Sequence, residues 1–239
     1  ASEDVVWKGT PLTHIYSLDP AYGGGDRCTG RHIEMGEDLH GRQTVFAHPP
    51  EIIPISLTSN VDPEDQIAAY VFNRATELSI PPTNIFYDSF GKGTLGFAFS
   101  KLFGKSCPVP IDSSAMPTKR PVRFDLFIEE TDSSGRIKKR LKRCDEHYTK
   151  FVTEMWFSAR EAVDAEHVRG LDKETILEGC TRRFKKNANG KLEVETKEDY
   201  KERSFGKSPD LMDNFVIGIE GARRLGLKIK SLADRKSVV

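Results

Sequence analysis

The chain carries no surplus of either charge: 36 Lys and Arg stand against 36 Asp and Glu in 239 residues. No overall field therefore draws it to nucleic acid or to a membrane, and any polyanion binding must come from local patches. No apolar run is long enough to span a bilayer. The opening residues Ala1-Ser2-Glu3-Asp4 lack the basic and apolar regions of a signal peptide. The four cysteines, Cys28, Cys107, Cys144 and Cys180, stand far apart with no close pair of the zinc-binding kind. In an intracellular protein they are expected to be free thiols, mostly packed as small apolar residues. The six histidines show no His-x-x-x-His spacing, so the sequence announces no zinc site. A phosphate loop is missing too, because Gly91-Lys92-Gly93-Thr94-Leu95-Gly96 has the wrong spacing.

What is present fits one sizeable core or a domain with a small annex. A strand is expected over His14 to Asp19, stopped by Pro20, which has no N–H for a ladder. Gly23, Gly24 and Gly25 then allow a tight turn that leaves space beside the Asp19 carboxylate. Arg31–Met35 and Thr44–Ala47 read as further strands; three strands this close imply an antiparallel meander, with Ile52 to Leu57 as a possible edge. Asp62 and Pro63 open a helix whose buried face is Ile67, Val71, Ala75 and Leu78. Asn84 to Asp88 follows as a strand that again ends on an acid and a glycine-rich turn, Gly91-Lys92-Gly93.

Thr94 to Phe103 is expected to be a helix and Cys107 to Ile111 a strand. Arg136 to Arg143 holds six basic residues in eight and reads as a solvated loop or helix end. One long amphipathic helix is expected over Glu146 to Val163, and a shorter one over Leu171 to Cys180. Thr181 to Thr196 reads as a β-hairpin with Asn189-Gly190 near its tip, basic through Arg182, Arg183, Lys185, Lys186 and Lys191. The last element is a helix capped by Ser208, with Pro209 at its first position and Asp210 and Asp213 on one face. Gly226 is expected to stop it, ahead of a basic tail.

Two strand-end acids followed by an acid pair on a late helix is the order found in RNase H-like nucleases. Grouped carboxylates supply the oxygen ligands that hard cations require. Leu18-Asp19-Pro20-Ala21-Tyr22-Gly23-Gly24-Gly25-Asp26, the Tyr87-Asp88 strand end, and Lys197-Glu198-Asp199-Tyr200-Lys201 leading into Ser208-Pro209-Asp210-Leu211-Met212-Asp213 resemble the nuclease domain of the large terminase subunit of tailed bacteriophages. The likeness is collinear from about residue 12 to residue 226. It departs at Asn214-Phe215, where that family often has Asp-Ala, which bears on local packing more than on the metals.

The resemblance implies an α/β RNase H-like fold: a central mixed sheet, antiparallel meander plus parallel strands, flanked by helices and carrying a small basic hairpin annex at about 181–197. It divides the chain into a linker, 1–12, from a missing N-terminal ATPase domain, a nuclease domain, 13–226, and a basic tail, 227–239. It implies an endonuclease cutting double-stranded concatemeric viral DNA with two Mg²⁺ or Mn²⁺ ions, bound by Asp19, Asp88 and one or both of Asp210 and Asp213. Asp26 is better read as a turn residue. Arg182, Arg183, Lys185, Lys186 and Lys207 are the expected DNA contacts. The implied partners are DNA, the ATPase domain, the small terminase subunit and the portal, with no membrane and a monomeric isolated domain. The implied setting is the host cytoplasm during virion assembly, outside the mature virion. Two rivals stand beside this reading: a junction resolvase of the same fold, and a DNA- and portal-docking module that is silent in isolation.

Overall fold

The computed structural model describes residues 7–9, 11–23, 25–89 and 94–230. Strands β1 (Thr13–Asp19), β2 (Thr29–Glu37) and β3 (Gln43–Ala47) form the antiparallel meander that the sequence implied. On the other side of β1, strands β5 (Ile85–Asp88) and β6 (Val109–Ile111) pair in parallel, giving the order β6-β5-β1-β2-β3. The expected edge strand shrinks to β4 (Glu51–Ile52), a two-residue pairing with β2. Pro54 has no N–H with which to extend it.

Side chains on a strand alternate between the two sheet faces, and here each face has its own core. Tyr16 and Leu18 of β1 pack with Ile85 and Tyr87 beneath α1 (Pro63–Glu77) and α2 (Thr94–Phe103). Ile15, Ile33 and Phe86 point the other way, toward α4 (Phe151–Asp164) and α7 (Asp210–Arg224). Burying each of these three contributes roughly 1.5–3 kcal/mol. Helix α7 lies unusually close to the sheet because it presents glycines there. A Cβ on Gly218 would come 2.2 Å from Ile33 Cδ1, and one on Gly221 would come 2.4 Å from Phe86 Cδ2.

Several local expectations change. The helix expected over Glu146 to Val163 is interrupted: α3 (Cys144–His147) ends, and Tyr148 and Lys150 adopt extended backbone before α4 begins. The reason is tertiary pairing. Tyr148 bridges Leu192, and the Thr149 N–H donates to the Leu192 carbonyl, so the break joins a strand of the annex. The basic run Arg136 to Arg143 is a strand, β8 (Ile137–Leu141), in a hairpin with β7 (Phe127–Thr131). Its cations are matched across the hairpin, as in Arg140–Glu130 at 2.8 Å and Lys138–Asp132 at 3.1 Å. Short strand β9 (Val168–Arg169) adds to β3 in parallel, and α5 (Lys173–Thr181) is capped by the Asp172 carboxylate accepting from the Thr175 N–H. The annex hairpin is β10 (Phe184–Lys186) and β11 (Leu192–Val194), followed by α6 (Lys197–Arg203).

The Asp62 carbonyl opens α1, but its carboxylate makes no capping bond. Helix α7 starts one residue later than expected, with Pro209 as its cap. The Gly91-Lys92-Gly93 turn, Gly24 and the end of the tail lie outside the described residues. All four cysteines are free thiols, with Cys28 and Cys144 buried, Cys107 partly exposed and Cys180 exposed. Among the described residues no helix is long and apolar enough to cross a membrane.

Candidate metal centre

Parallel pairing sets Leu18 beside Tyr87, so the next residues, Asp19 and Asp88, leave the sheet side by side. Asp19 shares its face with Ile15, and Asp88 shares its face with Phe86, so both carboxylates rise toward α7. The first turn of α7 supplies Asp213, and the three acids line one open cleft of about 360 Å³ with Lys197 and Trp156. Asp19 and Asp213 are nearly buried, at 5% and 7% exposure. The Ser113 hydroxyl lies within hydrogen-bond distance of both Asp88 oxygens, 3.1 and 3.0 Å away.

Asp210 separates from this group. It is buried at 3% exposure, accepts from the Arg27 backbone N–H at 2.9 Å, and does not line the cleft. The acid pair expected on one face of the helix thus splits, with Asp213 in the cleft and Asp210 tied to the turn after β1. Asp26, read as a turn residue, pairs with Lys201 at 2.8 Å.

The surroundings treat the acids unequally. Asp213 Oδ1 accepts from Trp156 Nε1 and from Arg182 Nη1, each at 2.9 Å. Its buried Oδ2 is held by the Lys197 ammonium, whose Nζ lies 2.9 Å away as an ion pair. Burial pushes the Asp213 carboxyl up, yet Lys197 and Arg182 outweigh it and hold the group below the usual carboxylate range. Asp19, with Lys197 Nζ farther away at 3.6 Å, goes the other way: burial, with Asp213, Asp88 and Asp210 nearby, raises it well above that range. Burial lowers the Lys197 ammonium, but Asp19 and Asp213 together raise it strongly.

Of the residues expected to contact DNA, Arg183, Lys185, Lys186 and Lys207 are exposed. Arg182 is not. Its side chain is 3% exposed, stacks over the Trp156 ring at 4.4 Å and pairs with Asp213, so it supports an acid instead of reaching outward. Glu193 and Glu195, on or next to β11, border the cleft, placing the exposed basic strand of the hairpin beside it.

Sequence reasoning gave no site role to Lys197, which stands only within the family-like stretch, to Ser113, read as loop, or to Trp156, read as core. The Asn214 departure resolves into a clamp. Its buried amide donates to the carbonyls of Ser17 and Thr29 at 3.0 and 2.8 Å and accepts from the Ser17 hydroxyl at 3.0 Å. That ties the residue after Asp213 to β1, which carries Asp19, and to its neighbour β2.

Three carboxylates in one cleft, one of them with its charge opposed by its neighbours, offer the oxygen donors that a hard divalent cation takes. No protein-family model matches the chain. A segment of 210 residues is 26% identical to DNA-directed RNA polymerase subunit beta' of Wigglesworthia glossinidia brevipalpis, taking in 87% of this chain but only 13% of that protein. Among solved structures the chain is similar to the nuclease domain of the large terminase subunit gp2 of bacterial virus Sf6, with a TM-score of 0.56 at 18% identity, covering 89% of this chain and 90% of that one. Mutant forms of the same domain, one with manganese and beta-thujaplicinol and one with calcium, match with TM-scores of 0.56 and 0.58, at 16% and 15% identity and coverages of 87% of both chains and of 89% and 90%. The chain therefore has the RNase H-like fold of terminase nuclease domains.

Proposed function

We propose that this chain is a metal-dependent endonuclease that cuts double-stranded viral DNA during genome packaging. The observation that carries the proposal is the convergence of Asp19, Asp88 and Asp213 from β1, β5 and α7 in one open cleft. The fold likeness supports it, since it spans about nine-tenths of both chains and the Sf6 domain has been solved with manganese and with calcium. The polymerase likeness names a different protein and weighs less, because it reaches a small part of that relative.

Asp19, Asp88 and Asp213 would hold the ions, and Asp210 would keep the first turn of α7 in place through Arg27. Divalent ions bound there would lower the pKa of a water and neutralise charge on the phosphodiester oxygens. The chain's own part is positional. Trp156 and Arg182 orient the Asp213 carboxylate, Ser113 faces Asp88, and Asn214 fixes the spacing between α7 and β1. Lys197 balances Asp19 and Asp213 when no ion is bound. Arg183, Lys185, Lys186 and Lys207 would track phosphates without reading sequence. An ATPase domain, a small terminase subunit and a portal are the proposed partners, in the host cytoplasm.

Nicking and linearisation of supercoiled plasmid, with Mg²⁺, Mn²⁺, Ca²⁺ or chelator, tests this directly. Cleavage with Mg²⁺ or Mn²⁺ that vanishes in Asp88→Ala is the expected result. Equal cleavage by a folded Asp88→Ala protein would overturn the site, and preference for branched over linear duplex would turn the reading toward a junction resolvase.

A further inference from the structure

We propose that His14, His32 and Glu34 form a second metal site, built for an imidazole-binding transition-metal ion such as Zn²⁺ or Co²⁺ and separate from the acid cleft. One donor atom from each of the three lies within 4.8 Å of the others. Antiparallel register creates the group: His14 on β1 stands directly opposite Glu34 on β2, and His32 stands opposite Tyr16, two residues along on the same face. That face is the one on which Tyr16 packs beneath α1, whereas Asp19 faces α7. Five residues of strand also separate His14 from Asp19, roughly 17 Å. The two sites therefore differ in sheet face, strand end and ligand type.

The geometry suits a small tetrahedral ion. His14 Nδ1 and His32 Nε2 are 3.0 Å apart. Two imidazole nitrogens on a Zn²⁺ with bonds of about 2.0–2.1 Å stand about 3.3 Å apart, so a slight opening admits the ion. Without an ion these two nitrogens must share one proton, one ring donating and the other accepting.

His48 completes the arrangement from outside. Its ring stacks on His32 at 4.4 Å with planes 8° apart, so a metal in the plane of His32 lies out of the plane of His48. His48 instead approaches Glu34, with Nε2 3.4 Å from Oε1 and no hydrogen-bond partner of its own. The nearby Arg74 guanidinium is engaged by Glu51 and Glu77, each at 2.7 Å. Three protein donors leave the fourth position to water, and the Glu34 side chain, 22% exposed, gives an ion a route in.

The test uses untagged protein, stripped with chelator and titrated with Co²⁺, in an Asp19→Asn/Asp88→Asn background that disables the cleft. One Co²⁺ is expected to bind, with a d–d spectrum of nitrogen and oxygen ligation, no thiolate charge-transfer band, and displacement by Zn²⁺. Adding His14→Gln or Glu34→Gln should each weaken binding by at least about tenfold. Glu34→Gln lies at the partly exposed end and keeps the test valid should His14→Gln fail to fold. Equal Co²⁺ affinity with and without Glu34→Gln, or no binding once the cleft is disabled, would overturn the proposal.

Discussion

Two groups of buried carboxylates flank α7, and they are built in opposite ways. Glu154 and Glu220 are 0% and 1% exposed, more deeply buried than the cleft acids. Yet Glu154 Oε2 accepts from the Thr118 N–H at 2.6 Å, and its Oε1 accepts from the Thr118 hydroxyl at 2.8 Å and from Arg120 at 3.1 Å. Glu220 accepts from Arg120 at 2.9 and 3.0 Å and from Arg224 at 2.9 Å, with Arg223 3.4 Å from both glutamates. Three guanidiniums thus serve two carboxylates. In the cleft, Lys197 and Arg182 face three acids, and Asp19 is pushed toward its neutral form. Burial alone does not set the two groups apart; how fully their charge is compensated does.

The largest expected effect separates the groups by activity. Asp88→Asn should lower plasmid cleavage by more than the ~10–100-fold that losing a supporting residue costs a metal site. Its urea unfolding midpoint should stay close to that of the wild type. Arg120→Met should do the reverse. Removing the guanidinium shared by Glu154 and Glu220 leaves buried charge under-compensated, at a cost of about 3 kcal/mol. The divalent-ion dependence of cleavage should be retained wherever that variant is folded. If Arg120→Met unfolds no earlier in urea than the wild type, the network is not the structural member of the pair.

A smaller effect sharpens the contrast inside the cleft. Lys197→Met removes a cation that no guanidinium replaces at Asp19. In chelator at neutral pH it should destabilise the fold by about 1–2 kcal/mol. That is less than for Arg120, because Asp19, already pushed toward its neutral form, can take up a proton once the ammonium is gone. Saturating Mn²⁺ should restore the loss, since it supplies the missing charge. A thermal melt that is lowered equally with and without Mn²⁺ would mean that Lys197 supports the fold without standing in for a bound cation.

The same division governs what could be read from the chain. β1, β2, β3, β5, α1 and α2 announce themselves through alternation, helical spacing and Pro or Gly punctuation, and Asp19 and Asp88 are visible because each ends such a strand. What stayed hidden depends on contacts between distant segments. Tyr148 to Lys150 carry a helical pattern but are drawn out by Leu192. Arg182 looks like one more cation of a basic hairpin until Trp156 and Asp213 claim it. Lys197 reaches the acids only because β11 and α6 fold back over the cleft. His14, His32 and Glu34 have no ligand spacing along the chain, and only antiparallel register gathers them. Sequence patterns report local periodicity, while charge compensation is settled by tertiary partners.

The smallest effect is the most specific to the cleft. The Asp19 carboxyl in the folded protein is raised well above the ordinary value, about 3.9 in an unfolded chain. Between those two values the folded state holds the Asp19 proton and the unfolded state does not. The unfolded state therefore binds fewer protons, and this residue's contribution to stability falls as pH rises through that window and stays low above it. Asparagine cannot ionise and escapes the loss. Without divalent ions, Asp19→Asn should match the wild type at acid pH and melt higher at neutral pH, by more than the ~0.5 kcal/mol scatter of ordinary surface changes. Asp213 has the opposite sign. Its carboxyl is held below the ordinary value, so its stabilising contribution is present above about 3.9 and is lost as pH falls. Asp213→Asn should accordingly melt lower than the wild type at neutral pH and converge with it on acidification. Melting curves of the three proteins in chelator from acid to neutral pH decide the matter. If both variants shift the same way, the two acids are not held apart by their surroundings and the cleft is no different in kind from the glutamate network.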